Sequence, residues 1–235
     1  MYMAFSIVII CRDEEDHIGN CLSSLQGLTD DVIVVDTGSA DRTKEIVSTY
    51  PYKLIEKEWI GFGPTKNYAN QLAKYDWILS IDADEQLDDV LYDSLKTWQP
   101  ASAKLYCIRR VNHIGDRSIK FGHLKPELKR RLFHKNIYQW DNRLVHEQLT
   151  PEVSKRDITG LKGSVLHYQA KNIEDLRQQY NRYALLASPK TGIAKRLAPY
   201  YHFVRSYLFM LGFLEGRLGF RLAKSRFKYS RLKAA

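Results

Sequence analysis

The sequence predicts an α/β fold in which a mixed, mostly parallel, Rossmann-like sheet is flanked by helices and followed by a helical C-terminal extension. Three observations support this prediction. Short apolar runs alternate with helical patterns through the first hundred residues, which is typical of βαβ units. These runs are continuous, as in strands that are covered on both faces. Basic residues are concentrated near the C-terminus.

The first half of the chain contains four strand–helix pairs. The predicted strands are Phe5–Cys11, Val32–Asp36, Tyr52–Glu58 and Trp77–Ile81. The predicted helices are His17–Gln26, Asp41–Thr49, Pro64–Lys74 and Asp88–Trp98. Asp41 is expected to cap the second helix, because its carboxylate can accept from free backbone amides. The first apolar run lacks a basic start and is followed at once by acids, so it is predicted to be a strand rather than a signal peptide.

The pattern changes after residue 103. Strands are predicted at Leu105–Val111, Arg131–His134 and Ser164–Tyr168, and they are expected to complete the sheet and form a second wall of a cleft. From Asn172 the chain is predicted to be helical, with breaks near Pro189 and Pro199, because proline interrupts helices. We therefore expect a main domain at 1–190, with halves at 1–100 and 101–170, and a helical tail at 191–235.

The three cysteines are Cys11, Cys21 and Cys107. They have no metal-binding or redox spacing, and we expect them to be small buried side chains. An odd number of cysteines favours a reducing, cytoplasmic setting.

The basic charge belongs to the tail. Of a net charge of +9, residues 190–235 contribute +10, from eleven Lys or Arg residues and one acid, Glu215. Residues 197–214 are apolar but are interrupted by proline, histidine and arginine, which favours a surface or re-entrant segment over a membrane span.

The last helix carries a stripe of basic residues. Its members are Arg217, Arg221, Lys224, Lys228 and Arg231. The apolar residues predicted to flank it are Phe213, Phe220 and Phe227 on one side and Leu214, Leu218 and Leu222 on the other. This pattern predicts peripheral contact with an anionic membrane surface. The alternative is a helix packed on the catalytic domain with a solvated charged edge, and both can hold together. A nucleic-acid-binding role for the tail is disfavoured, since the rest of the chain is nearly neutral and no nucleic-acid-binding motif occurs.

Acidic residues follow three of the predicted strands. In a parallel sheet, ligands bind outside the carboxyl ends of the strands. Residues 12–15 (Arg-Asp-Glu-Glu) follow the first strand, Asp36 ends the second, and Asp82 and Asp84 follow the fourth. Such acids can also cap helices. The carboxylates of Asp82 and Asp84 are separated by one residue and are expected to lie close together. Each would raise the pKa of the other unless a cation offsets their charge. Hard oxygen ligands suit Mg²⁺ or Mn²⁺.

Four segments in this order resemble the inverting glycosyltransferases of family two, which have the GT-A fold. They are SIVIICRDEEDHI, VIVVDTGSADRTKEI, GPTKNYA and WILSIDADE, and the resemblance covers roughly residues 4–95. The later segments WDNRLVHEQL and GSVLHY, with a helix containing Tyr180 and Tyr183, resemble a narrower branch. That branch includes bacterial lipopolysaccharide core glucosyltransferases and related heptose-modifying enzymes.

The resemblance implies a role for each acidic position. Asp36 would hydrogen-bond the base of the donor, most often uracil, and Glu14, with Arg12 or Asp13, would line the same pocket. Asp82 would contact the ribose or a metal-bound water, and Asp84 would bind the metal directly. The resemblance also assigns 1–100 to nucleotide binding and 101–170 to the acceptor.

Two further residues complete the site that the resemblance implies. Lys66 would reach the base or the diphosphate, the alternative being a solvated helix lysine. Glu147 is chosen as the catalytic base over His146 and Asp141, the alternative being a surface residue of a strand. Trp140 could stack on a sugar or belong to the core. The other histidines, His113, His123, His134 and His167, lack zinc spacing.

The sequence thus predicts a metal-dependent hexosyltransferase that uses a UDP-sugar and Mg²⁺ or Mn²⁺. We expect a lipid-linked glycan as acceptor, most specifically lipopolysaccharide core, at the inner face of the cell membrane. A protein or soluble glycan acceptor is the alternative. A nucleotidyltransferase is disfavoured, because the acids at 13–15 would repel a triphosphate.

Overall fold

The structure is a computed structural model that describes residues 5–100, 105–142, 147–152, 154, 157–186 and 193–233. For residues 182, 183, 185, 186 and 193–195 it describes the backbone alone. The chain divides into two compact units. Unit 1 comprises Met1–Arg110 and Leu128–Leu166, and unit 2 comprises Val111–Glu127 and His167–Ala235. The expected boundary between residues 190 and 191 lies outside the described residues.

The strands alternate with helices in the first hundred residues, as predicted. The strands are β1 (Phe5–Cys11), β2 (Val32–Asp36), β3 (Lys53–Glu56), β4 (Trp77–Asp82), β5 (Glu85–Leu87), β6 (Leu105–Ile114), β7 (Arg117–Ser118), β8 (Glu127–His134), β9 (Gln139–Trp140), β10 (Leu149–Thr150) and β11 (Ile158–Ala170). The helices are α1 (Ile18–Ser23), α2 (Thr43–Ser48), α3 (Phe62–Gln71), α4 (Asp89–Lys96), α5 (Ile173–Leu186), α6 (Ile193–Val204) and α7 (Gly216–Leu232).

The main sheet has the order β3-β2-β1-β4-β8-β6-β11-β5, and β7 pairs with β6. The pairs β3–β2, β2–β1 and β1–β4 are parallel, whereas β4 and β8 are antiparallel. Strands β9 and β10 form a separate antiparallel hairpin. The predicted mixed α/β class is therefore confirmed.

The parallel strands are covered on both faces. In β1, Phe5, Ile7 and Ile9 belong to one buried cluster, while Val8 belongs to another. Because successive side chains of a strand point to opposite faces, each strand contributes to both clusters. This explains the continuous apolar runs in the sequence. Of the cysteines, Cys11 and Cys21 join the first cluster and Cys107 the second, all three as free, buried thiols.

Unit 2 has its own core and a buried acid. Side chains of β6, α5 and α7 meet there, among them Ile114, Leu176 and Leu222. Glu215 accepts from the backbone amides of Lys120 (2.7 Å) and Phe121 (3.1 Å).

One local prediction was wrong and another was confirmed in part. The helical conformation of α6 continues through Pro199, which lies inside it. Helix α2 begins at Thr43 with Arg42 at the cap position. Asp41 nevertheless accepts from the free Thr43 amide (2.9 Å) at the start of α2, as expected of a capping carboxylate. The expected break at Pro189 lies outside the described residues.

Candidate active site

The parallel register places two of the predicted acids on either side of the end of β1. Cys11 pairs with Asp36 on β2, and Ile10 pairs with Asp82 on β4. The loop that begins at Arg12 leaves β1 at the same edge. The carboxyl ends of three neighbouring strands thus bring the acidic segments together, as the sequence predicted.

The loops after β1 and β2 are fastened to each other. Ser39 Oγ accepts from the Asp13 amide (2.9 Å), and Asp13 Oδ1 accepts from the Ala40 amide (2.8 Å). The Glu14 amide donates to Thr43 Oγ1 (2.8 Å). Arg12 is exposed and lies 3.8 Å from the Asp13 carboxylate. The hydrogen bonds fix the backbone of Asp13 and Glu14 at the sheet edge.

Asp36 is fully buried and holds the turn that follows β2. Its Oδ1 accepts from the amides of Gly38 (3.0 Å) and Ser39 (2.9 Å), and its Oδ2 accepts from the Ser39 hydroxyl. Gly38 has a φ of 100°, which favours glycine. Since Asp36 has 0 % exposure, a contact with a base requires the turn to move so that a carboxylate oxygen becomes accessible.

Glu14 and Asp84 form the acidic part of the edge. Burial, followed by the nearby charges of Asp84, Asp41, Asp82 and Asp13, raises the pKa of Glu14 to about 8. A cation placed among these carboxylates would remove the repulsion, so the residues fit a divalent ion. Among the described residues, no group of three His, Cys, Asp or Glu side chains is arranged to hold a metal. Mg²⁺ usually takes several of its ligands from water and substrate phosphates.

Asp82 forms ion pairs with two basic side chains. Its Oδ1 lies 3.3 Å from Lys66 Nζ, and its Oδ2 lies 2.7 Å from an Arg131 nitrogen. Burial opposes ionisation, but Arg131 and then Lys66 hold the pKa of Asp82 well below its ordinary value. Arg131 and Lys66 thus supply positive charge to Asp82, and its contact with the ribose or a metal-bound water stays a prediction.

The sequence did not predict the part played by Arg131 and Glu85. The Arg131 guanidinium bridges Asp82 and Glu85, both contacts being direct ion pairs. Glu85 is fully buried, and its Oε2 accepts from the Asp82 amide (3.1 Å). The signal in the sequence is the acid directly after the D-x-D segment, which would need a buried cation to remain ionised.

Lys66 connects the sheet edge to the predicted base. Its ammonium lies 2.7 Å from Glu147 Oε1, 3.3 Å from Asp82 Oδ1 and 4.8 Å from the centre of the Trp140 ring. Side-chain exposure is 5 % for Lys66 and 15 % for Glu147. The alternative of a solvated lysine is therefore wrong. Glu147 precedes β10 and is not a residue of that strand.

The β9–β10 hairpin that presents Glu147 is fixed to α3. Asn67 donates to the Trp140 carbonyl (2.8 Å) and accepts from the Trp140 amide (2.9 Å). A Cβ on Gly63 would lie 1.8 Å from the Asp141 carbonyl oxygen, so only glycine permits this approach. Trp140 belongs to a buried cluster. The adjacent Lys66 and Asn67 thus position the base and its supporting hairpin.

The two alternative bases have different outcomes. Asp141 closes the neck of the hairpin, since its amide donates to the Gln148 carbonyl (2.9 Å) and its carboxylate accepts from the Gln148 amide (3.1 Å). Asp141 thus stabilises the hairpin, whereas Glu147 lies beside Lys66. His146 lies outside the described residues.

Comparison with known proteins decides the family. The model of glycosyl transferase family 2 matches residues 6–152, which is more than half of the chain. The chain belongs to glycosyl transferase family 2. This match covers Asp36, Lys66, Asp82, Asp84 and Glu147.

Relatives of this family 2 glycosyltransferase occur in several bacteria. An uncharacterized glycosyltransferase of Rickettsia typhi is 30% identical over 191 residues, covering 76% of this chain and 65% of that protein. The lipopolysaccharide core biosynthesis glycosyltransferase LpsC of Rhizobium meliloti is 28% identical over 197 residues, covering 78% and 70%. The chain thus spans just under two thirds of the Rickettsia protein.

The family 2 glycosyltransferase also has the fold of solved structures. S. aureus TarS matches with a TM-score of 0.52 and 18% identity, over 98% of this chain and 53% of that one. A shorter TarS chain in complex with UDP matches with a TM-score of 0.50 and 19% identity, over 98% and 88%. These similarities confirm the expected GT-A fold.

Proposed function

We propose that the chain is an inverting, metal-dependent hexosyltransferase that uses a UDP-sugar and a lipid-linked glycan acceptor. The observation that carries this proposal is the position of Lys66 between the sheet edge and Glu147. One end of this arrangement is the edge where α/β sheets bind nucleotides. The other end is a carboxylate that can accept a proton from an attacking hydroxyl.

The donor is assigned to the edge formed by the loops after β1, β2 and β4. Arg12, Glu14 and Asp36 would line the pocket for the base, and Asp82 would contact the ribose or a metal-bound water. Lys66 would bind the diphosphate, since its ammonium is a compact positive charge suited to phosphate oxygens. A UDP donor is supported by the UDP complex of TarS, whose fold the chain shares.

Asp84 is the proposed direct ligand of Mg²⁺ or Mn²⁺. When bound, the ion would supply Lewis-acid stabilisation of the leaving diphosphate. The acidic surroundings that raise the pKa of Glu14 support a cation at this place. The residues present would leave most of the coordination sphere to diphosphate oxygens and water.

Glu147 is the proposed general base. The acceptor hydroxyl oxygen forms a bond to the anomeric carbon while the bond from that carbon to the diphosphate oxygen breaks. The electron pair of the broken bond leaves with the diphosphate, and the hydroxyl proton passes to Glu147. Attack on the face opposite the leaving group inverts the anomeric configuration, so an α-linked donor gives a β-linked product.

The proposed acceptor is lipopolysaccharide core, and glucose is the proposed sugar. The similarity to LpsC, whose name places it in lipopolysaccharide core biosynthesis, supports the acceptor. We assign the protein to the cytoplasm, peripherally on the inner face of the cell membrane. The supporting observations lie in unit 2.

Unit 2 presents a basic stripe on α7. All five basic residues of the stripe, Arg217, Arg221, Lys224, Lys228 and Arg231, are exposed. The opposite face is buried, and Leu222, expected to flank the stripe, belongs to the core instead. Packing of the helix and exposure of its basic face therefore occur together, and the exposed stripe suits anionic headgroups.

An apolar surface on unit 2 would accompany that stripe. Phe209 is 80 % exposed, and Leu208, Leu211 and Leu214 are also exposed. Their backbone is held in place, because the Gly122 amide donates to the Met210 carbonyl (2.9 Å). No helix among the described residues is both long and apolar enough to cross a bilayer. Exposed aromatic and basic residues together suit the boundary between headgroups and acyl chains.

A donor screen tests the catalytic proposal. UDP-glucose and other nucleotide sugars would be incubated with rough lipopolysaccharide, with Mg²⁺ or Mn²⁺ and with EDTA, while nucleoside diphosphate release is measured. We expect metal-dependent release from a UDP-sugar. If no nucleotide sugar reacts with any metal, the proposal is wrong.

Vesicle flotation tests the membrane contact. We expect binding to phosphatidylglycerol vesicles and little binding to phosphatidylcholine vesicles. Phe209→Ser should weaken binding several-fold, since it removes a buried contact with lipid. Leu128→Ser, at a leucine that is also exposed but lies in unit 1, is the matched control. Equal effects of the two substitutions would contradict the assignment to unit 2.

A further inference from the structure

Lys66 serves two carboxylates that differ in their other partners. Asp82 has a second cation, since an Arg131 nitrogen lies 2.7 Å from its Oδ2, and Arg131 is itself held by Glu85. In the described part of the chain, the ion pair of Glu147 is the one with Lys66, at 2.7 Å. Loss of Lys66 would therefore leave Asp82 with a cationic partner, Arg131, but would remove the described ion pair of Glu147.

The short contact also involves the oxygen that catalysis would use. Glu147 Oε1 accepts from the ammonium in a largely buried setting, where charge-assisted hydrogen bonds are strong. Lys66 thus occupies the oxygen that would accept the proton of the acceptor hydroxyl. The base is thus restrained by the group that would bind the diphosphate.

We propose that Lys66 is a positioning residue that keeps Glu147 paired in the donor-free protein and releases it when a nucleoside diphosphate takes over the ammonium. This proposal rests on the proposed function. A diphosphate carries more negative charge than a carboxylate and competes for the same cation. Asp82 keeps its ion pair with Arg131 through the exchange. Donor binding would then precede activation of the base.

The exchange makes Glu147 a competitor of the diphosphate for Lys66. Removing the competing charge should therefore tighten diphosphate binding, although Glu147 itself does not bind the donor. Simple repulsion between Glu147 and the diphosphate would also tighten binding on removal of the charge. The two explanations differ in whether the gain depends on Lys66.

A double-mutant cycle separates these explanations. UDP affinity in the presence of Mg²⁺ would be measured by calorimetry for the wild type, Glu147→Gln, Lys66→Met and the double variant. We expect Glu147→Gln to bind UDP about tenfold more tightly, the factor for one charge-assisted hydrogen bond. Lys66→Met should bind UDP more weakly. In the Lys66→Met background, Glu147→Gln should have no further effect.

Two variants serve as controls. Glu152→Gln removes an exposed carboxylate five positions further along the chain and should leave UDP affinity unchanged. Lys66→Arg keeps the positive charge and should restore most of the dependence on Glu147.

The outcomes are distinguishable. An equal gain from Glu147→Gln in both backgrounds overturns the exchange and indicates repulsion alone. Unchanged or weaker UDP binding by Glu147→Gln also overturns it, and this test does not depend on the folding of Lys66→Met. If the wild type binds no UDP, the proposed donor fails together with the exchange.

Discussion

Each compact unit pairs a carboxylate with an arginine, but the two carboxylates have different surroundings. In unit 2, Glu215 accepts from two backbone amides and lies 2.9 Å from Arg117, so its charge serves the fold. In unit 1, Asp82 shares Lys66 with Glu147 and shares Arg131 with Glu85. A cation shared by two carboxylates, such as Lys66, can exchange one partner for a ligand. The arginine beside Glu215 pairs with a carboxylate that backbone amides already hold, so it is less suited to such an exchange.

The largest effect should come from the base. Glu147→Gln removes the proton acceptor while keeping the shape of the side chain, and we expect transfer to fall about 10³-fold. UDP binding and the urea unfolding midpoint should not be weakened. Steady-state assays of product formation, alongside calorimetry, measure this. Full transfer by the variant would refute the assignment of Glu147 as the base. The ion pairs of unit 1 would then have no link to catalysis that unit 2 lacks.

The counterpart in unit 2 is a loss of stability. Glu215→Ala leaves the amides of Lys120 and Phe121 without their acceptor, and we expect the free energy of unfolding to fall by about 3 kcal/mol. Urea denaturation followed by circular dichroism measures the change. Glu215→Gln should be milder, because the amide oxygen can still accept. An unchanged midpoint for Glu215→Ala would show that this carboxylate does not stabilise unit 2.

A third prediction concerns the support of the base. Gly63→Ala forces a Cβ to within 1.8 Å of the Asp141 carbonyl, so the β9–β10 hairpin must move. We expect kcat to fall about 10²-fold, as for displacements of about 1 Å in other active sites. Gly160→Ala is the matched control, since a Cβ there has no neighbour within 4 Å. Similar losses in both variants would indicate a general effect of alanine instead.

The smallest effect is a pH dependence of stability in unit 2. Burial, and then the charges of Arg226 and His202, lowers the pKa of His123 from 6.5 to about 3. His123 bonds Ser206 and Tyr180, each at 3.0 Å. The unfolded chain takes up this proton below pH 6.5 and the folded chain does not. Stability from this residue is therefore present above pH 6.5 and is lost as the pH falls towards 3.

This pH dependence has a measurable size. We expect a contribution of about 2 kcal/mol between pH 6.5 and pH 5, at about 1.4 kcal/mol per pH unit. Urea unfolding at both pH values, compared between the wild type and His123→Gln, isolates it from other titrating groups. Identical pH slopes for the two proteins would contradict it.

The sequence predicted the elements because local periodicity reports burial on one face or on two. It also predicted which acids follow the strands, since the edge of a parallel sheet is fixed by strand direction. The ion pairs could not be predicted in this way. Arg131 reaches Asp82 across the pairing of β4 with β8, and that pairing joins residues about fifty positions apart. The sequence wrongly predicted a break in α6 at Pro199, because local propensity does not include the tertiary packing that can outweigh it.

The attachment of the β9–β10 hairpin to α3 has a consequence for how the sequence of this protein could diverge. Asn67 and Gly63 fasten the β9–β10 hairpin at Trp140 and Asp141. Sequence changes elsewhere in the hairpin can therefore be accepted without displacing Glu147, provided that both anchors remain.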